Sequence, residues 1–261
     1  MNPDISSILR DWPFDPGQIS ARIIDGADGE PRLQIRVELG ILQLRLDGRP
    51  DGLMPDGHES LLELHESRLA SQDEEEEDGE RAGLSPEECE GLRSEALLYY
   101  HRYVGLMVLE DFERVVRDTT RNLRVMDLCA RHAEQESDRN ALERFRPYIV
   151  MMRARAKAGL ALRDGESKSA VLAVDDGLED LRRHYAEVGQ PQLIDRSPEA
   201  RVLREIRDAL SPQLPMSQRA ELTDRLNRAI AEENYELAAI LRDELRGMRD
   251  EAGEGRGKAE G

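Results

Sequence analysis

The sequence predicts an α+β protein that is predominantly α-helical, with a small N-terminal antiparallel β-sheet, a helical middle domain and a C-terminal helical hairpin. Apolar residues alternate with period two near the N-terminus, whereas the chain from Ser85 onward follows the helical period. Aromatic residues make up only 4% of the 261 residues, so the core has to be built mainly from aliphatic side chains and Ala. Such a composition favours helix-on-helix packing over a sandwich or a barrel.

The N-terminal domain is predicted over residues 1–70. Three runs in it alternate apolar with polar residues: 19–23, 33–39 and 42–46. Asp-Gly turns follow the first and the third run, and Gly40 separates the second run from the third, which is typical of β-hairpins. We expect a three-stranded antiparallel sheet whose apolar face is covered by a helix. The polar strand residues are interpreted as an exposed sheet face, and a binding groove on that face is the alternative. They are Gln34, Arg36, Glu38, Gln43 and Arg45.

A short helix is expected over residues 59–70, followed by an acidic, disordered linker over residues 71–84. Residues 73–80 of this linker read DEEEEDGE. A block of like charges this dense repels itself and buries nothing, so we expect it to be solvated.

A helical domain is predicted over residues 85–211. Ser85-Pro86-Glu87-Glu88 at its start has the pattern of a capping box with Pro at the first helical position. Further helices are expected at residues 111–134, 138–163, 166–189 and 198–210. Pro147 should interrupt or kink the helix over 138–163, because Pro lacks the N–H donor and clashes with the preceding turn.

Small residues recur in the middle of this domain where two helices could cross closely. They are Ala154, Ala158, Leu162, Gly165, Ala170, Val174 and Gly177. The spacing is similar to that of one tetratricopeptide (TPR) hairpin with Gly165 at the turn, so the region is TPR-like. A helical bundle without repeat ancestry explains the pattern equally well, since small residues serve any close helix crossing.

A helical hairpin is predicted over residues 217–249, followed by a disordered tail over 250–261. Two apolar stripes at helical spacing define it: Leu222, Leu226, Ala229 and Ile230, then Ala238, Leu241, Leu245 and Met248. Between them Asn234 suits a tight turn, because Asn tolerates the left-handed conformation. Fewer than ~40 residues rarely make a self-sufficient core, so the hairpin is expected to need another surface.

These residues resemble the UVR motif. The matching positions are Leu222, Leu226, Ala229, Ile230, Glu233, Tyr235, Glu236, Ala238, Ala239, Leu241, Arg242, Asp243 and Leu245. The motif is the helical hairpin shared by the B and C subunits of the bacterial nucleotide-excision nuclease. It also occurs in some Clp ATPases and in activators of bacterial protein arginine kinase. The resemblance implies that one hairpin pairs with another, in a homodimer or with a different protein.

The resemblance also implies a partner-binding face. Its residues are Leu222, Leu226, Ala229, Ile230, Tyr235, Ala238, Leu241 and Leu245. Arg242 and Asp243 are expected to form salt bridges and to carry no chemistry. The alternative is that the hairpin packs only on the chain's own helical domain. Pro212 and Pro215 precede the hairpin as a hinge and favour a partner, because exposed apolar patches mark partner sites.

No catalytic residues, cofactor or metal site are expected, and the chain is predicted not to be an enzyme. A GxxxxGK phosphate loop, the nuclease domains and paired CxxC zinc sites are all missing from the sequence. His58 and His65 lie near Glu59, Glu63 and Glu66, where a solvated acidic face is favoured over a metal site. Cys129 is interpreted as a core residue.

The net charge of −18 makes direct nucleic-acid binding an unfavoured interpretation, because such binding depends on neutralising phosphates with Lys and Arg. Cys89 and Cys129 have no CxxC partner and are expected to be reduced thiols. We find no signal peptide pattern and no apolar stretch of ~18 residues that would span a membrane. The expected location is therefore the cytoplasm.

The sequence thus predicts a non-enzymatic adaptor that docks partner proteins through its C-terminal hairpin. An accessory role in nucleotide-excision DNA repair is one alternative. Regulation of a Clp-type protease or of protein arginine kinase through the same motif is another. An enzyme of an unrecognised type also remains open, since active sites assemble from dispersed residues.

Overall fold

The structure is a computed structural model that describes residues 4–75, 83–210, 226–228, 230–231 and 242. The chain divides into two compact units, Met1–Ser211 and Pro212–Gly261. All strands and helices named below belong to the first unit.

A short helix, α1 (Ser6–Arg10), precedes a three-stranded antiparallel sheet in the order β1-β2-β3. The strands are β1 (Ala21–Asp25), β2 (Pro31–Val37) and β3 (Gly40–Arg45). In register, Leu33 of β2 lies between Ile23 and Leu44, so one face is apolar, as the alternating pattern predicts. Gly29 adopts a φ of +80° in the turn between β1 and β2, a conformation that favours glycine. The predicted sheet is confirmed.

Seven further helices follow in the described part of the chain. They are α2 (Leu61–Glu75), α3 (Pro86–Val108), α4 (Phe112–His132), α5 (Glu136–Asn140), α6 (Arg146–Arg163), α7 (Ser167–Glu187) and α8 (Pro198–Leu210). Among the described residues the protein is therefore mostly helical with a small sheet near its N-terminus, which confirms the predicted fold class.

The start of α3 has the predicted capping box. The Glu88 backbone N–H donates to Ser85 Oγ at 3.3 Å, and the Ser85 N–H donates to the Glu88 carboxylate at 2.8 Å. Asp111 caps α4 by accepting a hydrogen bond from the Arg114 N–H. These two caps satisfy N–H groups that have no partner within their helices.

Two helix boundaries differ from the prediction. The helix expected over 138–163 is interrupted, which is one of the two outcomes predicted for Pro147: α5 ends at Asn140, and α6 begins at Arg146 with Pro147 in its first turn. The first turn is the place where a missing N–H costs no hydrogen bond. Helix α2 continues to Glu75, beyond the predicted start of the linker at residue 71, because Ala, Gln and Glu extend a helix once it has formed. Residues 76–82 of the predicted linker lie outside the described residues.

The sheet and the helices share one apolar core. Leu33 and Ile35 of β2 pack in the same cluster as Leu106 of α3, Leu178 of α7 and Leu203 of α8. Helix α3 approaches the sheet closely at Gly105, where an added Cβ would lie 2.8 Å from the Ile35 side chain. Glycine therefore sets how near this helix comes to β2.

Helices α6 and α7 cross as the small residues predict. A Cβ added at Gly177 would lie 2.5 Å from the Ala154 Cβ, and Gly165 has a φ of +77° in the turn between the two helices. A TPR-like hairpin and an ordinary bundle both require this crossing. The TPR-like interpretation stays a prediction.

A second apolar cluster joins α2, α3 and α4. It contains Leu62, Leu92 and Val125 together with both cysteines, Cys89 and Cys129. Both cysteines are buried free thiols, and burial raises the pKa of Cys129 to about 12. Such thiols are protonated at neutral pH and behave as small core residues.

The polar face of the sheet is less exposed than predicted. Gln34 and Arg36 on the polar face are buried, whereas Gln43 and Arg45 are exposed. Arg36 is held by the segment before β1, since its Nε donates to the Trp12 carbonyl at 2.7 Å. The Gln34 amide instead accepts a hydrogen bond from Arg22 and donates one to Gln43 on the neighbouring strands. The interpretation of a fully exposed polar face was wrong at Gln34 and Arg36.

In the ranges that the structure describes, no helix combines the length and the apolar character needed to cross a membrane.

Candidate functional site

Six residues of the predicted C-terminal hairpin are described, at 226–228, 230–231 and 242, and all of them are α-helical. Leu226 is half-buried, and the Ile230 side chain is 46% exposed. Both positions belong to the predicted partner-binding face. The remaining residues of that face lie outside the described residues: Leu222, Ala229, Tyr235, Ala238, Leu241 and Leu245.

Ile230 is one of several large apolar side chains that are exposed among the described residues. A large β-branched side chain left in water forgoes the ~1.5–3 kcal/mol that its full burial would contribute. Ile230 has the helical conformation and the spacing from Leu226 that the apolar stripe requires. The described part of the hairpin thus presents apolar surface at a position predicted to contact a partner.

The first unit contains a buried network of arginines and carboxylates, centred on Arg102 of α3 and Asp118 of α4. Two hydrogen bonds join these side chains, from Arg102 Nε at 2.7 Å and from Nη2 at 2.8 Å. Arg102 Nη1 donates to the carbonyls of Arg45 and Gly48 as well, at 3.1 and 2.7 Å. The two side chains are 1% and 0% exposed. A bidentate, fully hydrogen-bonded pair is the arrangement in which burial of two opposite charges is tolerated.

Glu95 is the second buried carboxylate of the network. It accepts a hydrogen bond from the Leu61 N–H at 2.9 Å and lies 3.4 Å from Arg49 Nη1. It also forms an ion pair with Arg121 of α4. Glu95 therefore holds the start of α2 and the turn after β3 against α3 and α4.

Tyr99 lies between two of these cations. The guanidinium carbons of Arg102 and Arg121 are 4.7 and 4.1 Å from its ring centroid. Burial raises the pKa of Tyr99 to about 12, so the phenol is protonated at neutral pH. The ring contributes cation–π attraction to the two arginines.

Arginines recur along one face of α4, at Arg114, Arg117, Arg121 and Arg124. Arg114 and Arg117 hold Asp47, and Arg124 pairs with Glu66. Hydrogen bonds from Arg114 and Arg117 lower the pKa of Asp47 to about 2. Helix α4 thus binds both the segment after β3 and helix α2 through charge pairs.

The reasoning from sequence missed this network, although the spacing of the α4 arginines pointed to a charged face. The carboxylates that meet them come from residues far away in the chain, so periodicity alone does not reveal the pairing. The interpretation of His65 as part of a solvated face was wrong. His65 is buried, its Nδ1 lies 3.7 Å from Glu88, and burial lowers its pKa. Within the described ranges no group of three or more His, Cys, Asp or Glu residues is placed to hold a metal ion.

A comparison with protein families identifies the C-terminal segment. Residues 217–251 match the family model described as the UvrB/uvrC motif, which confirms the resemblance to UVR. The match spans the predicted hairpin and leaves the sheet and the helices of the first unit unassigned. Comparison with curated proteins finds no match, and comparison with solved structures finds none either.

Proposed function

We propose that this protein is a non-enzymatic adaptor that docks a partner protein through the UVR hairpin at residues 217–251. The observation that carries the proposal is the match of this segment to the UvrB/uvrC motif. The exposed Ile230 supports it, because the apolar stripe of such a hairpin gains stability when another surface covers it. The partner is another UVR-containing protein or a second copy of this chain.

The chemistry of the first unit is compatible with a role in binding. Its buried arginines and carboxylates are engaged with one another, and its buried thiols are protonated. The two free cysteines suit a reducing compartment, which supports a cytoplasmic location. The net charge of −18 weighs against a direct nucleic-acid contact.

The test compares the full chain with two variants that add the same charge at neighbouring positions. Ile230→Asp places a carboxylate on the apolar stripe, and Asn227→Asp places one on an exposed position beside it. Tagged proteins are used to recover partners from the native cell, and light scattering measures self-association. We expect wild type and Asn227→Asp to recover the same amount of partner, or to dimerise equally. Ile230→Asp should reduce the amount of recovered partner, or the dimerisation constant, at least tenfold. Equal recovery or dimerisation by all three proteins would contradict the proposal.

The identity of the recovered partner decides between the finer roles. Two roles other than a general adaptor are compatible with the same motif. A subunit of the nucleotide-excision nuclease would indicate an accessory factor of DNA repair. A Clp-type ATPase or a protein arginine kinase would indicate control of proteolysis. Retardation of damaged DNA by the purified chain alone would contradict a role limited to protein contacts.

A further inference from the structure

The outer face of α3 carries no charge over four helical turns. In its residues 94–108, all of which the structure describes, the charged side chains are Glu95 and Arg102, and both are buried. The exposed and half-buried side chains are Ser94, Leu97, Leu98, Tyr100, His101, Val104, Met107 and Val108. Burial lowers the pKa of His101, so this imidazole is neutral at pH 7. Helix α3 therefore lacks the charged outer face that a helix exposed to solvent normally has.

An apolar groove of about 380 Å³ lies beside this face. Helix α3 contributes Tyr100, His101 and Val104 to its lining. The segment before β1 lines it too, through Phe14 and Ile19, which are 38% and 51% exposed. The helix face and the groove thus form one continuous apolar region. We call it the α3 surface, and it consists of Leu97, Tyr100, Val104, Val108, Phe14 and Ile19.

The α3 surface differs from a single exposed apolar residue. Leu172 on α7 is such a residue, since it is 63% exposed and has Lys168 and Asp176 one turn away on either side. Isolated residues of this kind are ordinary on soluble proteins. On α3 the apolar residues recur every three or four positions with no exposed charge among them, so they are neighbours on one face. A contiguous apolar patch of this kind marks a contact with another macromolecule.

The lack of charge on the α3 surface allows a second copy of the chain to bind there. Each copy has a net charge of −18, so two copies repel one another wherever their acidic surfaces meet. Charges more than ~8 Å apart are largely screened at physiological salt, so the charges at the contact itself decide the outcome. Among the described residues that line the groove, Asp15 and Arg36 are charged and have opposite signs. Two copies that meet here therefore bring no excess of like charge together.

We propose that the α3 surface pairs two copies of this protein in a homodimer, with the two-fold axis near Tyr100 and His101. The two α3 helices run antiparallel across this axis. Leu97 of each copy then lies opposite Val104 of the other, because the two positions are equally far from the axis along the helix. Leu97 thereby covers the groove that Val104 lines. The contact involves the first unit alone and is independent of the docking proposed for the UVR hairpin. A dimer of this kind carries two hairpins, which raises its avidity for a partner with two sites.

The test is analytical ultracentrifugation of the full chain carrying Ile230→Asp, so that pairing of hairpins does not contribute. In this background Leu97→Asp brings a carboxylate from each copy into the contact. Leu172→Asp adds the same charge at the isolated position on α7 and is the matched control. Circular dichroism confirms that each variant is folded. We expect the background chain and the control to dimerise with the same dissociation constant, and Leu97→Asp to raise that constant at least tenfold.

Two results would overturn the proposal. One is a background chain that stays monomeric up to about 500 µM, where even a weak interface forms. The other is equal dimerisation of the Leu97→Asp and Leu172→Asp proteins.

Cross-linking tests the position of the axis without adding charge. Tyr100→Cys places a thiol near the axis, and Leu172→Cys places one far along the chain on α7. The native thiols of Cys89 and Cys129 are buried and do not compete for a short bis-maleimide. We expect a cross-linked dimer with Tyr100→Cys and none with Leu172→Cys in the same background. Equal cross-linking of the two variants would refute the assigned contact.

Discussion

Replacing Asp118 with Ala removes the carboxylate that faces Arg102 inside the first unit. Arg102 is 1% exposed, so its charge would have to stay in the core without its main counterion or draw water inward. Arg117 would lose a partner too, but it keeps Asp47 and is partly exposed. The cost therefore falls mainly on Arg102.

Breaking a buried ion pair by removing one partner costs about 3–5 kcal/mol, because the remaining charge is left uncompensated. Two hydrogen bonds from Arg102 to the Arg45 and Gly48 carbonyls persist in the variant and reduce this cost. We expect Asp118→Ala to lower the free energy of unfolding by about 3 kcal/mol, at the lower end of that range. The double variant Arg102→Met/Asp118→Leu should lose less than the single one, because a matched apolar pair leaves no buried charge.

The assay is urea unfolding at pH 7 followed by circular dichroism, with m-values compared among the variants. Glu179→Gln is the matched control, since Glu179 pairs with Arg182 at the surface and such pairs contribute about 0–1 kcal/mol. A loss of less than about 1 kcal/mol for Asp118→Ala would refute the reasoning. It would mean that the Arg102 charge is solvated in the folded protein.

Three further expectations concern separate parts of the first unit. Gly177→Ala should lower the free energy of unfolding in urea by about 1–3 kcal/mol, because the new Cβ would lie 2.5 Å from that of Ala154. A variant that is more stable than wild type would contradict the close crossing of α6 and α7. Ser85→Ala should cost about 1 kcal/mol by removing the cap of α3, and Ser85→Thr, which retains a hydroxyl, should cost less in the same measurement. The folded pKa of Asp47 is lowered to about 2, so its stabilising effect is present above the unfolded value of about 3.9 and is lost as pH falls between the two. In Asp47→Asn the free energy of unfolding should change less with pH in that window than it does in wild type. If the pH dependence is the same in both proteins, Arg114 and Arg117 do not hold this carboxylate in solution.

The elements predicted well are those governed by neighbours in the chain. The alternation of β2, the capping box at Ser85 and the Gly165 turn depend on local backbone geometry, and the structure has all three. Pro147 shows the limit of such rules. The sequence indicates that the helix cannot pass through Pro undisturbed, but it does not show that α6 begins one residue earlier.

The sequence by itself determined the fold class, the order of the elements in the first unit and the presence of a UVR motif, because periodicity, capping and motif spacing are properties of short segments. Only the tertiary structure decided that Gln34, Arg36 and His65 are buried and that Arg102, Asp118, Glu95 and Arg121 meet in one network. Burial and charge pairing depend on which distant segments cover a residue, and those contacts form only when the sheet, α2, α3 and α4 pack together.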